Sequence, residues 1–422
     1  MASFSFGSGN AAKLLRIPLY AAGRIGTVLV PRGRRWVFGC GAGIGDGALA
    51  LWRVATAEGH DAVWLTSSDR ERADAAALGI PTIPKSTLRG WWATARAGVI
   101  VVTHGQGDVN RYGVAGGFLV QLWHGIPLKR IGLDSPATTQ VPSVPGAPLL
   151  RRLVEVLYRM TAQRIRLMPA ASDRSRGRLE SAFGLGGGRV VVTGEPRVDA
   201  LSAGDESERR AAASALLERA VRALPAGART LLYAPTWRDG ADDPAVPTAA
   251  EWVRIIALLE GRNAVLLVRS HPLGAGAYRP PLPTARVRML GSDVLADVTP
   301  ALPAIDALIT DYSSLAYDVG LLGMPVLYLA PDADDYARTR GFYGSHLDVV
   351  GSDAAQDWEE LLGSLEALLT DERVVAERSS RSSTLSAQMH AHRDGQNTRR
   401  VYRAIRARTT RAGENPAPRG AR

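Results

Sequence analysis

The sequence predicts an α/β protein built from two doubly wound, Rossmann-like units. Two observations carry this expectation. Short apolar runs recur along the chain, each followed at once by a polar or glycine-rich turn, and alanine-rich stretches of helical character lie between several of them. Strands alternating with helices specify parallel pairing, because a parallel neighbour needs a long crossover. The pattern also stops in a polar stretch and begins again, and 422 residues exceed what one hydrophobic core ordinarily organises.

In the first half the runs are Arg35-Trp-Val-Phe38, Ala62-Val-Trp-Leu65, residues 99–102, residues 118–122 and Val190-Val-Val192. They lead into Gly39-Cys-Gly-Ala-Gly43, Thr66-Ser-Ser-Asp69, Thr103-His104-Gly105, Trp123-His124-Gly125 and Thr193-Gly-Glu-Pro-Arg197. Residues 46–58 and 68–78 read as the intervening helices. Polar residues cluster at 199–206 and mark the boundary. Residues 207–224 then open the second half as an alanine-rich helix. Its strands are Leu231-Leu-Tyr233, residues 264–268, Ala307-Leu-Ile309 and residues 326–329, which deliver Pro235-Thr-Trp-Arg238, Arg269-Ser-His-Pro272, Thr310-Asp-Tyr-Ser-Ser314 and Pro331-Asp332. Two such units facing a cleft form the glycosyltransferase-B architecture. The expected organisation is a basic N-terminal segment over 1–35, an N-terminal domain over 36–200, a C-terminal domain over 207–385, a basic C-terminal helix over 386–410 and a disordered tail over 411–422. Residues 135–148, rich in proline and serine, read as an irregular loop.

Composition narrows the partners. The net charge of +10 points to nucleic acid, an anionic membrane surface or a phosphorylated substrate. Aromatics are only 6% of the chain and form no basic-aromatic stripe, which argues against nucleic acid. The single cysteine, Cys40, permits neither an intrachain disulfide nor a cysteine zinc site and suits a reducing compartment. No run approaches the roughly 20 apolar residues that span a bilayer, and Pro18 and Arg24 interrupt the apolar stretch that follows Lys13 and Arg16, so no secretory signal is read. Residues 11–35 interleave apolar side chains with Lys13, Arg16, Arg24, Arg32, Arg34 and Arg35. They read either as an interfacial helix on an anionic leaflet or as a first helix packed on the body with a basic outer face.

Ligands of open α/β sheets bind at the carboxyl ends of the strands. His104, His124 and His271, three of the seven histidines, follow strand-like runs directly, as do Arg197, Arg238 and Asp311. His124 stands out, because a strand delivers it into a glycine-proline turn with Lys129 and Arg130 behind it. An imidazole titrates at about pH 6.5 and can accept the proton of an attacking hydroxyl, and adjacent positive charge suits attack on a phosphate. In the second half, Thr310-Asp-Tyr-Ser-Ser314 precedes a helix expected over 315–322, with Ser313 or Ser314 as its N-cap. Free N–H groups there suit a diphosphate. Arg238 and His271 would add positive charge to a departing phosphate.

These motifs resemble those of the CDP-glycerol glycerophosphotransferases of teichoic acid synthesis. Trp123-His-Gly-Ile-Pro-Leu-Lys129, Gly194-Glu-Pro-Arg-Val-Asp199, Tyr233-Ala-Pro-Thr-Trp-Arg238, Arg269-Ser-His-Pro272, Ile309-Thr-Asp-Tyr-Ser-Ser314, Arg340-Gly-Phe-Tyr343 and Asp394-Gly395 carry the likeness, in consistent order from about Gly117 to Val401. The first hundred residues match only loosely. The resemblance implies a glycosyltransferase-B fold with no bound catalytic metal and no cofactor. It implies transfer of glycerol phosphate from CDP-glycerol, or ribitol phosphate from CDP-ribitol, with release of CMP. The acceptor would be a lipid-linked glycan or polyol phosphate at the cytoplasmic face of the cell membrane. On this reading His124, His271 and Arg238 are catalytic. Arg269, Asp311, Ser313, Ser314 and Thr236 bind the donor and its phosphates, and His104, Lys129 and Arg197 face the acceptor.

Competing readings rest on single features. Gly43-Ile-Gly45-Asp-Gly-Ala48 with Asp69 fits a loose dinucleotide pattern. Asp332-Ala-Asp334 fits a D-x-D metal site. A nucleotide-sugar glycosyltransferase shares the fold, and a non-catalytic membrane-binding protein would need the basic ends but not His124.

Overall fold

The computed structural model describes residues 17–139, 141, 146–238, 242–270, 278–351 and 354–413. They fall into two compact units. One comprises the chain up to His124, Ile131–Asp199 and the chain from Gln396 onward; the other comprises Gly125–Arg130 and Ala200–Gly395.

The first unit holds seven strands, β1 (Trp36–Gly39), β2 (Ala62–Thr66), β3 (Thr82–Pro84), β4 (Val99–Val102), β5 (Phe118–Gln121), β6 (Ile165–Ala170) and β7 (Val190–Val192). They pair in the order β3-β2-β1-β4-β5-β6-β7, and every pairing is parallel. All residues of β1, β2 and β4 are buried, because helices cover both faces of the sheet. Helices Asp46–Ala57 and Asp69–Ala77 stand where the alanine-rich stretches lie, and Ser68 caps the second by accepting from the Glu71 N–H. Strands β3 and β6 carry no clean signal. The first is Thr-Ile-Pro and the second contains Arg166 and Pro169, so neighbours rather than propensity define them.

The second unit holds β8 (Arg229–Ala234), β9 (Ala264–Val268), β10 (Val287–Met289), β11 (Ala307–Thr310) and β12 (Val326–Tyr328), in the order β10-β9-β8-β11-β12. These pairs are parallel too. Tyr233, Trp252 and Trp358 are almost wholly buried in its core.

Several expectations change. Residues 135–148 are not one irregular loop: Pro136–Thr138 forms a 3₁₀ turn, and Ala147 opens a helix running to Ala162. The expected C-terminal helix over 386–410 is two elements. Helix Glu372–Met389 ends at His390, and Gly395, at φ 65°, turns the chain into helix Asn397–Gly413. That last helix belongs to the first unit, where Val401 and Ile405 are fully buried against the core around Trp36 and Trp64. Two side chains of that size contribute about 1.5–3 kcal/mol each, so the arginines of this helix stand on an element that is itself part of a core.

Candidate functional site

In each unit the strand order reverses between two neighbours, β1 and β4 in the first and β8 and β11 in the second. Carboxyl ends at such a switch point leave a crevice for ligands. The site is described unit by unit.

In the first unit the turn after β4 is wound around Asp108, which is 2% exposed. Its Oδ2 accepts from the backbone N–H groups of Thr103, His104 and Gly105 at 3.0, 2.7 and 3.3 Å. Thr103 Oγ1 lies 2.9 Å from His104 Nδ1 and 3.3 Å from Asp108 Oδ2. Gly41, after β1, leaves room for this ring: a Cβ there would come within 2.9 Å of His104 Cγ. Burial holds His104 below the ordinary imidazole range, against the opposing charge of Asp108.

His124 follows β5 and is exposed. The backbone turns outward at Trp123, which takes φ 65°. A tryptophan in the left-handed region costs on the order of 1–3 kcal/mol. The packing of its ring edge-on against Phe183, centroids 5.1 Å apart at 80°, holds it there. The His124 ring then lies on His104, centroids 4.4 Å apart and planes 10° from parallel. Two histidines 20 positions apart, each after its own strand, thus meet as the sequence could only suggest.

Arg197 has a different surrounding from the one expected. Its guanidinium is paired with Glu195 Oε2 at 2.8 Å, and the two side chains are only 8% and 4% exposed. The surrounding motif clasps the C-terminal helix. Asp199 accepts from the N–H groups of Asn397 and Thr398 at 2.9 and 2.8 Å and from Thr398 Oγ1 at 2.6 Å. Gly194 sits at φ 73° beneath the Asn397 side chain, with no space for a Cβ. We expect Asp199→Ala to remove the cap and lower stability by about 1–2 kcal/mol, read from the urea midpoint. Asp199→Asn should retain part of the contact and lose less stability, and an unchanged midpoint in the alanine variant would refute the capping role.

In the second unit the centre is Arg238, 5% exposed. Nη1 donates to Asp311 Oδ2 at 2.8 Å; Nε and Nη2 donate to the two oxygens of Asp332 at 2.7 and 2.9 Å. Nη1 also donates to the Thr236 carbonyl, and Asp243 lies 3.7 Å from Nη2. The guanidinium stands 4.8 and 5.1 Å from the ring centroids of Tyr312 and Tyr336. Burial works against its charge, but the hydrogen bonds to Asp332 and the charge of Asp311 outweigh that and hold it protonated beyond the ordinary arginine range. Burial likewise opposes ionisation of Asp332, and its bonds from Arg238 and Tyr312 prevail, holding it below the usual carboxylate range. Arg238 therefore ties together the ends of β8, β11 and β12, with four of its five N–H donors bonded to protein oxygens.

The other residues group around this knot. Asp311 also accepts from the Thr236 N–H, 3.0 Å from each of its oxygens, so it shapes the turn after β8. Arg269 donates to the carbonyls of Leu290, Leu295 and Ala296 at 3.0, 2.7 and 3.0 Å and secures the loop after β10. Ser313 and Ser314 are half-buried. Ser314 occupies the cap position without a side-chain bond, and Ser313 Oγ accepts from the Leu315 N–H at 3.2 Å. The helix behind them is Leu315–Val319, and a 3₁₀ turn over Gly320–Leu322 completes the expected 315–322; a Cβ at Gly320 would meet the Ser382 carbonyl. Lys129 belongs to this second unit. Its segment bridges to Phe342, with Arg130 N–H donating to the Gly341 carbonyl at 3.0 Å and Tyr343 N–H to the Leu128 carbonyl at 2.9 Å. Lys129 Nζ stands 5.6 Å from the Tyr336 ring centroid. Two sequence motifs more than two hundred positions apart are thereby one structure. His271 lies outside the described residues.

Tyr312, Asp332 and His346 were missed as parts of this centre. Tyr312 sits inside a motif read for its serines, yet its hydroxyl donates to Asp332 Oδ1 at 2.7 Å. Asp332 reads from the sequence as a strand-end residue and the start of a D-x-D pattern, and its carboxylate is taken by Arg238 and Tyr312. His346 stacks on Phe342, centroids 5.1 Å apart, and burial holds it below the ordinary imidazole range. No sequence pattern distinguishes it.

The two doubly wound sheets define a glycosyltransferase-B-like fold. The wall teichoic acid polymerase TagF has the same fold, with a TM-score of 0.73 and 20% identity over 96% of this chain and 98% of that one. The sequence matches the family described as CDP-Glycerol:Poly(glycerophosphate) glycerophosphotransferase over residues 41–407, and the chain belongs to that family. The teichoic acid poly(glycerol phosphate) polymerase of Staphylococcus epidermidis is 30% identical over 242 residues, covering 54% of this chain and 31% of that protein. The teichoic acid glycerol-phosphate transferase of Staphylococcus aureus is 28% identical over 237 residues, covering 53% and 55%. The ribitol-phosphate polymerase TarL of the same organism is 31% identical over 253 residues, covering 59% and 42%. The matched part thus spans less than two thirds of the length of each of these relatives.

Proposed function

We propose that this protein transfers glycerol phosphate from CDP-glycerol to a hydroxyl of a lipid-linked acceptor and releases CMP, in the synthesis of teichoic acid or a related cell-wall polymer. Family membership across residues 41–407 is the observation that carries the reading. The acceptor oxygen forms a new bond to the distal phosphorus, the bond from that phosphorus to the bridging oxygen breaks, and the CMP phosphate leaves with the electron pair. His124 takes the acceptor proton. Exposure at the end of β5 suits a base that must meet a substrate hydroxyl. On the donor side the N–H groups and hydroxyls at Ser313 and Ser314, with His271, receive the diphosphate. Arg238 acts by fixing Asp311 and the turn at Thr236, because four of its five N–H donors are held by protein oxygens. Arg269 supports the neighbouring loop in the same way. A panel of CDP-glycerol, CDP-ribitol and nucleotide sugars, with a lipid-linked disaccharide as acceptor, tests the reading. CMP release from CDP-glycerol is expected; release from a nucleotide sugar alone would overturn it.

Attachment to the cytoplasmic membrane face is the second part of the proposal. No helix among the described residues is long and apolar enough to cross a bilayer. Helix Ala147–Ala162 buries Val154, Tyr158 and Ala162 but exposes Leu149, Leu153, Val156 and Met160 along its other face. Arg151, Arg152 and Arg159 on the same helix are exposed. Helix Ile17–Leu29 adds Ile25, Val28 and Leu29, also exposed. An apolar stripe among arginines suits an anionic leaflet. Leu149→Glu with Leu153→Glu should weaken co-sedimentation with phosphatidylglycerol vesicles by about tenfold or more. Binding indifferent to that change, to anionic lipid content or to salt would exclude the surface.

A further inference from the structure

We propose that His104 is a positioning residue for His124: locked by Thr103 and Asp108, its ring is the platform that sets the orientation of the His124 imidazole as His124 takes the acceptor proton. The inference rests on the reading of His124 as the base.

Hydrogen-bond accounting supports the lock. Asp108 is acceptor-only when ionised, and its Oδ2 gathers three backbone N–H groups. The Thr103 hydroxyl has one proton, and the carboxylate 3.3 Å away is the stronger acceptor. Oγ1 then accepts from His104 Nδ1–H across 2.9 Å, a tautomer assigned from this network. The ring cannot rotate without breaking that bond, and Gly41, packed over its Cβ, Cγ and Nδ1 atoms, admits nothing larger than hydrogen. What His104 offers to His124 is a fixed flat face, and the two rings lie 10° from parallel.

The surroundings also favour an uncharged platform. Thr103 and Asp108 face it from its own turn, Gly41 from the turn after β1, and His124 from the turn after β5. Cys40 lies near Thr103, Asp108 and Asp46. Burial keeps His104 unprotonated more strongly than Asp108 draws a proton to it. A neutral ring spares its neighbour the like-charge repulsion of two stacked imidazolium rings. The proton taken by His124 is thus accepted next to a ring that neither repels it nor competes for it.

The test compares His104→Ala, His104→Phe and His124→Ala in the full chain by kcat, donor KM and pH profile. His104→Ala should lower kcat by on the order of 10²-fold, the scale of a misplaced reacting group, with donor KM unchanged. His104→Phe keeps a flat ring and should recover about tenfold of that loss. The acid limb should steepen at low pH in the wild type, where both rings gain protons, and follow a single proton in His104→Phe. Normal kcat in His104→Ala, or equal losses in the alanine and phenylalanine variants, would overturn the proposal. Normal turnover in His124→Ala would instead sink the underlying assignment of the base.

Discussion

Replacing His124 by alanine should lower turnover by about 10²- to 10⁴-fold, the range for loss of a general base, while CDP-glycerol still binds. The separation follows from placement. His124 stands at the end of β5 in the first unit, whereas Ser313 and Ser314, assigned to the diphosphate, stand after β11 in the second. A change confined to one imidazole removes the proton acceptor and leaves the donor groups intact, so kcat and kcat/KM should fall together. Calorimetric titration with CDP-glycerol beside steady-state CMP release measures both halves. Turnover within a few-fold of wild type would end the assignment, and loss of donor binding would place His124 in a different role. His124→Gln keeps a hydrogen-bonding group but cannot take the proton, and should be nearly as slow as alanine.

The second large effect is on stability. Arg238→Ala should destabilise the second unit by about 3–5 kcal/mol, the usual cost of removing one partner from a buried ionic cluster. Asp311, 2% exposed, would be left with its charge and without the guanidinium. Asp332 would lose both of its arginine bonds. A loss of that size is a large fraction of an ordinary folding free energy, and donor binding should disappear with it. Arg238→Lys should fall between, because one ammonium cannot span Asp311, Asp332 and the Thr236 carbonyl as the planar fork does. Adding Asp332→Asn to Arg238→Ala removes one stranded charge and should restore part of the loss. Urea unfolding reads the order of the three variants; an unchanged midpoint in Arg238→Ala would show that the cluster is not what holds the strand ends together.

The same residues show how far the sequence could be read. Apolar runs such as those of β4 and β9 identify themselves, because a strand buried on both faces must be apolar throughout. Strand ends that deliver His104, His124 and Arg238 could therefore be placed. The partners of those residues could not. Arg238 meets Asp311 and Asp332 from positions 73 and 94 residues away. Its charge suggested an open phosphate clamp, and only the fold reveals a satisfied one. Lys129 follows His124 closely in sequence, yet it belongs to the second unit, where its backbone pairs with Phe342. The exposed stripe on helix Ala147–Ala162 escaped notice because apolar residues lie on two of its faces, and composition cannot tell which one is buried.

What the sequence determined by itself is local: which apolar runs are strands, where the turns after them begin, and which chemical groups stand at their carboxyl ends. These follow from side-chain periodicity and turn chemistry, which act over a few residues. Strand order, the sharing of Asp311 between Thr236 and Arg238, the stacking of His104 on His124 and the return of the C-terminal helix to the first unit were decided by tertiary structure. Each depends on which surfaces meet when the sheets are covered. Burial then fixes what a group can do, holding the Arg238 donors on protein oxygens and leaving His124 exposed.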